Sequence, residues 1–134
     1  MFIVVDASVW VARLVSEDVF HERVKAWMFA RLEEGDQFLA PSLLLAEIGG
    51  AISRRTTSSL GLKAIEHIQS LPGLQLVEME DSLLRKAAQL AAELGLRGAD
   101  STYVAVAARL DLPLITLDLD QRERAKKRIT VLEI

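Results

Sequence analysis

Short runs of apolar, often β-branched residues alternate along this chain with longer segments of helical periodicity. The runs at 2–5, 37–40, 74–78, 114–117 and 129–134 predict strands, and the segments 8–15, 19–34, 41–55, 62–70, 82–94, 100–110 and 121–128 predict helices. Phe2–Val5 is apolar throughout, as expected of a strand covered on both faces. Because helices that connect parallel strands cross over them, the pattern predicts a three-layer α/β fold, with a central, mostly parallel sheet and helices on both faces.

Two boundaries of these helices depend on local signals. Pro41–Ser42 is expected to open the third helix, since proline is tolerated in a first turn. Residues 56–59 are all Thr or Ser and predict a polar break before the next helix.

Length and composition limit the class of protein. The chain has 134 residues, which suits a single domain over 1–134, and 51% hydrophobic with 26% charged residues excludes a disordered chain. The absence of cysteine excludes disulfide scaffolds, iron–sulfur sites and cysteine-based zinc sites. No signal peptide is evident and no apolar run reaches membrane-spanning length, so we expect a cytoplasmic protein with no membrane partner.

Four carboxylates stand in apolar surroundings. Asp6 follows the first strand and Asp118 follows the fourth, so a parallel sheet would bring both to its carboxyl edge, where such folds bind ligands. Glu47 lies within the almost wholly apolar segment 43–52, and Asp100 heads another apolar helix. Clustered carboxylates repel one another unless a cation holds them, and a set of oxygen ligands favours Mg²⁺ or Mn²⁺. The pattern predicts a metal site suited to phosphate esters.

Each carboxylate also has an ordinary structural explanation. Asp6 and Asp100 could cap the helices that follow them. Asp118 with Gln121, and Asp120 with Glu123, have the spacing of capping boxes. Glu47 lies too far inside its helix to cap it, and would instead be exposed or paired with Arg54 or Arg55.

At these residues the sequence resembles the PIN-domain nucleases, and most closely the small VapC-type toxins. The resemblance covers the whole chain, and four segments in order carry it: 4–8 (VVDAS), 41–47 (PSLLLAE), 97–105 (RGADSTYVA) and 114–118 (LITLD). Together, at these separations, the four form a fairly specific signal.

The resemblance implies a metal-dependent endoribonuclease that hydrolyses a phosphodiester with an activated water and leaves a 5′-phosphate. The positions that match the family's catalytic and metal-binding quartet are Asp6, Glu47, Asp100 and Asp118. Ser8 and Thr116 match supporting hydroxyl positions. The resemblance also implies an RNA substrate, an Mg²⁺ or Mn²⁺ cofactor, a homodimer, and a VapB-type antitoxin that lays a segment over the site.

Three positions depart from the family pattern: Gly50 stands in place of a frequent Asn, Ser101 in place of Ala, and Gln121 in place of a hydrophobic residue. Two adjacent glycines inside a helix cost roughly 1 kcal/mol each relative to alanine. We hypothesise that Gly49 and Gly50 allow close backbone packing beside the site.

Basic residues flank the proposed site although the net charge is −3. Arg13, Arg54, Arg55 and Arg97 lie near the acids in sequence and are candidates for contacts to the RNA phosphates. The basic run at 122–128 is more typical of a solvated helix face. Setting the four carboxylates aside leaves 15 acidic against 16 basic residues, so the net charge does not exclude an RNA partner.

Two other classes of protein remain as alternatives. A non-catalytic PIN-like binding or scaffold protein would use the same acids as helix caps. A phosphate-transfer receiver domain also gathers acids at strand ends, but it would need a lysine closing a late strand and would leave Glu47 without a role.

Overall fold

Strands and helices alternate in the structure as the sequence predicts. The structure is a computed structural model that describes residues 1–134. Its strands are β1 (Phe2–Val5), β2 (Gln37–Pro41), β3 (Leu74–Val77), β4 (Leu114–Ile115) and β5 (Val131–Leu132). Its helices are α1 (Ala7–Leu14), α2 (His21–Glu33), α3 (Leu44–Arg55), α4 (Ser58–Ser70), α5 (Asp81–Leu94), α6 (Gly98–Leu110) and α7 (Leu119–Ala125).

The five strands form one sheet in the order β3-β2-β1-β4-β5, and every neighbouring pair is parallel. The three-layer α/β prediction is therefore confirmed, with a sheet that is parallel throughout. β1 is central, and its Ile3, Val4 and Val5 are fully buried. The chain builds outward from β1 on one side and then on the other, so the strand order reverses beside β1, the position where such sheets bind ligands. None of the helices combines the length and apolar character needed to cross a bilayer.

Pro41 ends β2 and does not open α3, so the prediction of a helix starting at Pro41 is wrong. Pro41 pairs in register with Val77 of β3, and the Ser42 amide donates a hydrogen bond to the Val77 carbonyl at 2.8 Å. The missing N–H of the proline therefore removes no hydrogen bond at this level of the β2–β3 pair, and the helix begins only at Leu44.

The predicted polar break at 56–59 is only two residues long, because the second half of this stretch already belongs to α4. Thr57 is the N-cap of α4, its hydroxyl accepting a hydrogen bond from the Leu60 amide at 3.2 Å, so Ser58 and Ser59 are already helical. Hydroxyl residues satisfy free amides at a helix start as readily as they break a helix, and here the cap prevails.

β4 is two residues shorter than predicted at its carboxyl end. The Leu117 amide donates to Ser8 Oγ at 3.0 Å and the Asp118 amide donates to Thr116 Oγ1 at 3.1 Å. Side-chain hydroxyls therefore replace the strand partner from Leu117 onward. This leaves Thr116 and Asp118 in the loop above the sheet edge.

α3 and α4 pack closely through glycine, but only one of the two adjacent glycines takes part. A Cβ atom on Gly49 would lie 2.8 Å from Ile65 Cδ1, and one on Gly61 would lie 2.9 Å from the Gly49 carbonyl oxygen. A Cβ atom on Gly50 would meet only the end of the Arg54 side chain, at 3.0 Å. The packing hypothesis fits Gly49, and it is wrong for Gly50.

Candidate active site

Asp6 is held rigidly at the end of β1. It is the N-cap of α1 and is 4% exposed. Its Oδ2 accepts hydrogen bonds from the Ser8 amide (3.1 Å), Ser8 Oγ (2.6 Å) and Thr116 Oγ1 (3.0 Å), whereas its Oδ1 accepts none. Capping and a functional role are therefore compatible, because the cap uses one oxygen and leaves the other free.

Glu47 lies in the first turn of α3, half-buried, and faces α6. The Tyr103 hydroxyl donates to Glu47 Oε1 at 2.7 Å, and the Tyr103 side chain is fully buried. Neither Arg54 nor Arg55 pairs with Glu47, so the alternative of an ion pair with either arginine is wrong. Burial raises the pKa of Glu47 above its usual range; the Tyr103 hydrogen bond opposes the rise, and the charges of Asp6 and Asp100 add to it.

Asp100 and Asp118 are joined by one arginine. Arg97 donates from Nε to Asp100 Oδ2 at 3.0 Å and from Nη2 to Asp118 Oδ2 at 2.6 Å. Arg97, and not Asp100, is the N-cap residue of α6, so the capping explanation for Asp100 is wrong. The capping explanation for Asp118 is correct, because its Oδ1 accepts from the Gln121 amide at 3.0 Å.

The charges of neighbouring acids influence the ionisation of Asp100 and Arg97, as they do that of Glu47. Burial raises the pKa of Asp100, and the charges of Asp6 and Asp118 add to that rise while Arg97 opposes it. The hydrogen bond to Asp100 and the charges of Asp100, Asp118 and Asp6 raise the pKa of Arg97. Each acid thus affects at least one other across the carboxyl edge of the sheet.

The donor set suits a hard cation, although the side chains are not gathered around one point. No three carboxylate or imidazole groups lie close enough together to hold a metal ion as they stand. Asp6, Glu47 and Asp100 each keep one oxygen without a hydrogen bond. The Arg97 guanidinium lies between Asp100 and Asp118, where it supplies the positive charge these acids require. Oxygen-only ligands suit Mg²⁺ or Mn²⁺, and such an ion would compete with Arg97 for Asp100 and Asp118.

Ser8 and Thr116 surround Asp6, as their proposed supporting roles require. Thr116 Oγ1 lies 3.0 Å from Asp6 Oδ2 and 2.9 Å from Gln121 Oε1, and its single proton can serve only one of them at a time. Gln121 is almost fully buried. Gln121 stands where the family pattern has a hydrophobic residue, and its side-chain amide extends the polar network around Asp6.

Tyr103 and Gln121 are the two site residues that sequence reasoning missed. Tyr103 follows Asp100 by three residues, a spacing that places both on one face of α6 and could have indicated a shared site. Gln121 was noted only as a departure and as a capping partner. Ser101, the other departure on α6, donates to the Gly98 carbonyl at 2.6 Å, within its own helix.

The predicted basic residues do not all reach the acids. Arg97 bonds two of them, and Arg54 and Arg55 line a cavity of about 370 Å³ together with Ser8 and Asp118. Arg13 lies elsewhere, in an apolar cavity of about 270 Å³ with Trp10 and Phe38. This second cavity is lined by Leu74, the first residue of β3, and by Phe38 near the start of β2. It therefore lies toward the amino ends of the strands, away from the carboxyl edge that carries the acids.

The basic run at 122–128 is largely an ion-paired surface. Arg124 pairs with Asp120 at 3.0 Å, Lys126 with Glu123 at 3.2 Å and Arg128 with Glu93 at 2.6 Å. The second capping box is excluded because α7 begins at Leu119 with Asp118 as its N-cap, so Asp120 already lies inside the helix. The run supports the reading of a solvated helix face.

Comparison with solved structures identifies the same fold in three bacterial proteins or complexes. The sarcin–ricin-loop-cleaving toxin VapC20 of Mycobacterium tuberculosis matches with a TM-score of 0.75 and 20% identity, over 90% of this chain and 93% of that one. VapBC2 of Rickettsia felis, bound to a promoter DNA fragment, matches with a TM-score of 0.74 and 13% identity, over 98% of each chain. FitAcB of Neisseria gonorrhoeae matches with a TM-score of 0.71 and 20% identity, over 98% and 96%.

Comparison by sequence gives a family but no individual relative. No curated protein matches the chain. The PIN domain family matches residues 3–127, almost the full length, with all four carboxylates inside the matched region. The chain therefore belongs to the PIN domain family.

Proposed function

We propose that this protein is a metal-dependent endoribonuclease and the toxin of a VapBC-type toxin–antitoxin pair. PIN domains are generally nucleases. The observation that carries the proposal for this chain is the presence of four carboxylates at the carboxyl edge of the sheet, with Glu47 held by Tyr103 and Asp100 and Asp118 held by Arg97. Neighbouring carboxylates repel one another without positive charge, and we propose that a metal ion supplies that charge in addition to Arg97.

Asp6, Glu47, Asp100 and Asp118 would hold Mg²⁺ or Mn²⁺. When bound, the metal supplies positive charge to a phosphoryl oxygen and lowers the pKa of a water molecule. Asp6 is kept in place by Ser8 and Thr116, and Glu47 is kept in place by Tyr103. These bonds fix two of the four carboxylates before any ligand arrives, which reduces the reorganisation that binding requires.

The reaction is hydrolysis of a phosphodiester. A water oxygen forms a bond to phosphorus, the bond from phosphorus to the 3′ oxygen breaks, and the products are a 5′-phosphate and a 3′-hydroxyl. The attacking water loses one proton and the leaving oxygen gains one. Glu47 Oε2 carries no hydrogen bond, and we propose that this oxygen accepts the proton from the water.

The test compares three proteins on single-stranded and structured RNA, with Mg²⁺ or Mn²⁺ and with EDTA. We expect wild-type protein to cleave RNA only with metal, and the Asp6→Asn and Asp100→Asn variants to lose at least about 100-fold in rate. Arg85→Gln is the matched control, because Arg85 pairs with Asp81 on an exposed part of α5. Equal rates in wild type and both Asn variants would contradict the mechanism.

An antitoxin and a second copy of the chain are the proposed partners. The Rickettsia structure is of a VapBC pair, and two of the matching structures are of FitA–FitB pairs from the same class of assembly. Co-purification with the product of a small neighbouring gene that carries a DNA-binding region would support the antitoxin, and inhibition of cleavage by that product would establish its role. Light scattering on the isolated chain tests the homodimer, and a monomer mass would contradict it.

A non-catalytic PIN-like protein is the second candidate, because Asp6 and Asp118 do cap helices. Mn²⁺ titration separates the two functions. Saturable binding that is lost in Asp6→Asn supports the nuclease, whereas absence of specific binding together with unchanged stability of that variant supports the scaffold.

A further inference from the structure

The cavity beside the carboxylates has a second wall that the hydrolysis does not use. This cavity of about 370 Å³ is lined by Ser8 and Asp118 of the proposed site and also by Phe20, Arg54 and Arg55. The sequence pattern places Phe20 on the apolar face of the predicted helix 19–34 and gives it no part in the site. The cavity is large enough for one nucleotide-sized group, and Asp118 is the one of the four acids that lines it.

Helix α3 connects the two regions. Glu47, Ala51 and Arg54 are spaced by four and three residues, so they lie along one face of the helix. At 1.5 Å rise per residue, Arg54 lies roughly 10 Å along the axis from Glu47. A strand whose reacting phosphate lies at the carboxylates would therefore place its next phosphate toward Arg54.

The two arginines of this wall differ in their bonding. Arg55 is bound to Asp18 at 3.2 Å, which satisfies its charge. Arg54 is exposed and has no acidic partner, and its guanidinium lies over Gly50, where a side chain would crowd it. Arg54 is therefore the uncompensated positive charge in the cavity, and Gly50 leaves it room.

Phe20 is fixed at the mouth of the cavity by the same aspartate. Asp18 Oδ1 accepts from the Phe20 amide at 2.9 Å while its Oδ2 binds Arg55. The Phe20 ring is 37% exposed, and the Arg23 guanidinium lies 5.8 Å from the ring centroid. An aromatic ring held at a cavity entrance next to arginines is the usual arrangement for stacking an unpaired base.

We propose that this cavity is a nucleotide subsite in which Phe20 stacks on one unpaired base of the RNA and Arg54 binds the adjoining phosphate. The proposal rests on the proposed ribonuclease function and adds a substrate requirement to it: the nucleotide next to the cleaved bond must be unstacked. A fully paired duplex cannot offer its base to Phe20, so single strands and loops are the substrates favoured.

The test uses two labelled oligomers of equal length, a single-stranded RNA and the same sugar–phosphate chain without bases. Affinities are measured by fluorescence anisotropy in EDTA, so that no cleavage occurs. For Phe20→Ala we expect on the order of tenfold weaker binding of the RNA and no change for the abasic chain. Phe20→Tyr should retain wild-type affinity, and Arg54→Gln should bind both oligomers more weakly. Phe29→Ala is the matched control, because Phe29 is an exposed phenylalanine of α2 in a different cavity.

Each outcome decides the matter. Equal RNA affinity in wild type and Phe20→Ala overturns the subsite, as does an equal loss for both oligomers, which would indicate a structural role. Wild-type protein that binds neither oligomer and cleaves no RNA with Mn²⁺ overturns the ribonuclease function and the subsite together. Wild type that cleaves a fully paired duplex as fast as a single strand of the same sequence overturns the subsite alone.

Discussion

Arg97 joins two carboxylates that would otherwise repel each other. It bridges Asp100 and Asp118 although its own side chain is 75% exposed. An exposed ion pair contributes little to stability, because water screens it and the long side chain loses freedom. This guanidinium therefore contributes little to folding, and at the proposed metal site it would compete with the ion for the same carboxylates.

Removing Arg97 should strengthen metal binding. We expect Arg97→Met to bind Mn²⁺ between about threefold and tenfold more tightly than wild type in calorimetric titration, because the metal no longer competes with a resident cation. Arg85→Met, at another arginine–aspartate pair, should leave the affinity unchanged. Weaker binding in Arg97→Met would show that the guanidinium assists the metal site.

Glu47 should make the metal-free protein less stable as the pH rises. Its pKa in the folded state lies above its usual value of 4.5, so the folded protein holds this proton more tightly than the unfolded chain. Stability associated with Glu47 is therefore present below about pH 4.5 and is lost as the pH rises through the raised pKa. Glu47→Gln keeps an acceptor for Tyr103 but does not ionise.

We therefore compare the melting temperatures of Glu47→Gln and wild type in EDTA. The difference, variant minus wild type, should become more positive from pH 4 to pH 7. The exposed Glu66→Gln variant on α4 is the control and should follow wild type. A difference between Glu47→Gln and wild type that does not change with pH would contradict the burial of this charge.

At the scale of elements, the closeness of α3 and α4 depends on which glycine faces the other helix. The two helices approach until Gly61 lies against the backbone of Gly49. Glycine is otherwise a poor helix residue, so its presence in both helices indicates close contact. The sequence shows three glycines in this pair of helices but does not show which of them lie in the interface.

Alanine substitutions separate the glycines. Gly61→Ala should lower the free energy of unfolding by about 1–3 kcal/mol, because its Cβ would collide with backbone that cannot move aside. Gly50→Ala should be neutral or stabilise by up to about 1 kcal/mol, because it meets only the flexible end of Arg54. Urea denaturation measures both, and a larger loss for Gly50→Ala than for Gly61→Ala would contradict the packing.

The whole molecule combines a net charge of −3 with a local excess of acid at one edge of its sheet. A cation bound there stabilises the folded state by mass action, because the unfolded chain does not gather the four carboxylates. At 100 times its dissociation constant, such a ligand adds about 2.7 kcal/mol, which for a chain of this length raises the melting temperature by roughly 8–10 °C.

Differential scanning fluorimetry with Mn²⁺ should show this rise for wild type and its loss in Asp6→Asn. Ca²⁺ and Na⁺ at matched ionic strength separate specific binding from screening. An equal rise in wild type and Asp6→Asn would place the cation away from the candidate site.

Most of the architecture was predictable from the sequence, because strands buried on both faces have a distinct composition. The continuous apolar runs identified β1 and β2, and helical periodicity placed α5 within one residue of its observed start. Predictions were wrong where one residue type serves two structures: Pro41 ends a strand, and Thr57 caps a helix. Local propensity cannot separate these uses, since the choice depends on the neighbouring strand or on free amides.

The sequence by itself determined the fold class, because that follows from the periodicity of strands and helices, and the resemblance of four of its segments to a known family indicated the family. It also singled out four carboxylates as candidates, because they stand at strand ends or in apolar segments. Only the tertiary structure decided that Tyr103 holds Glu47, that Arg97 bridges Asp100 and Asp118, and that Arg13 lies at the other edge. These contacts join residues far apart in the chain or depend on side-chain direction. Spacing along a sequence does not determine which distant residues meet or where their side chains point. The packing of the sheet and helices determines both.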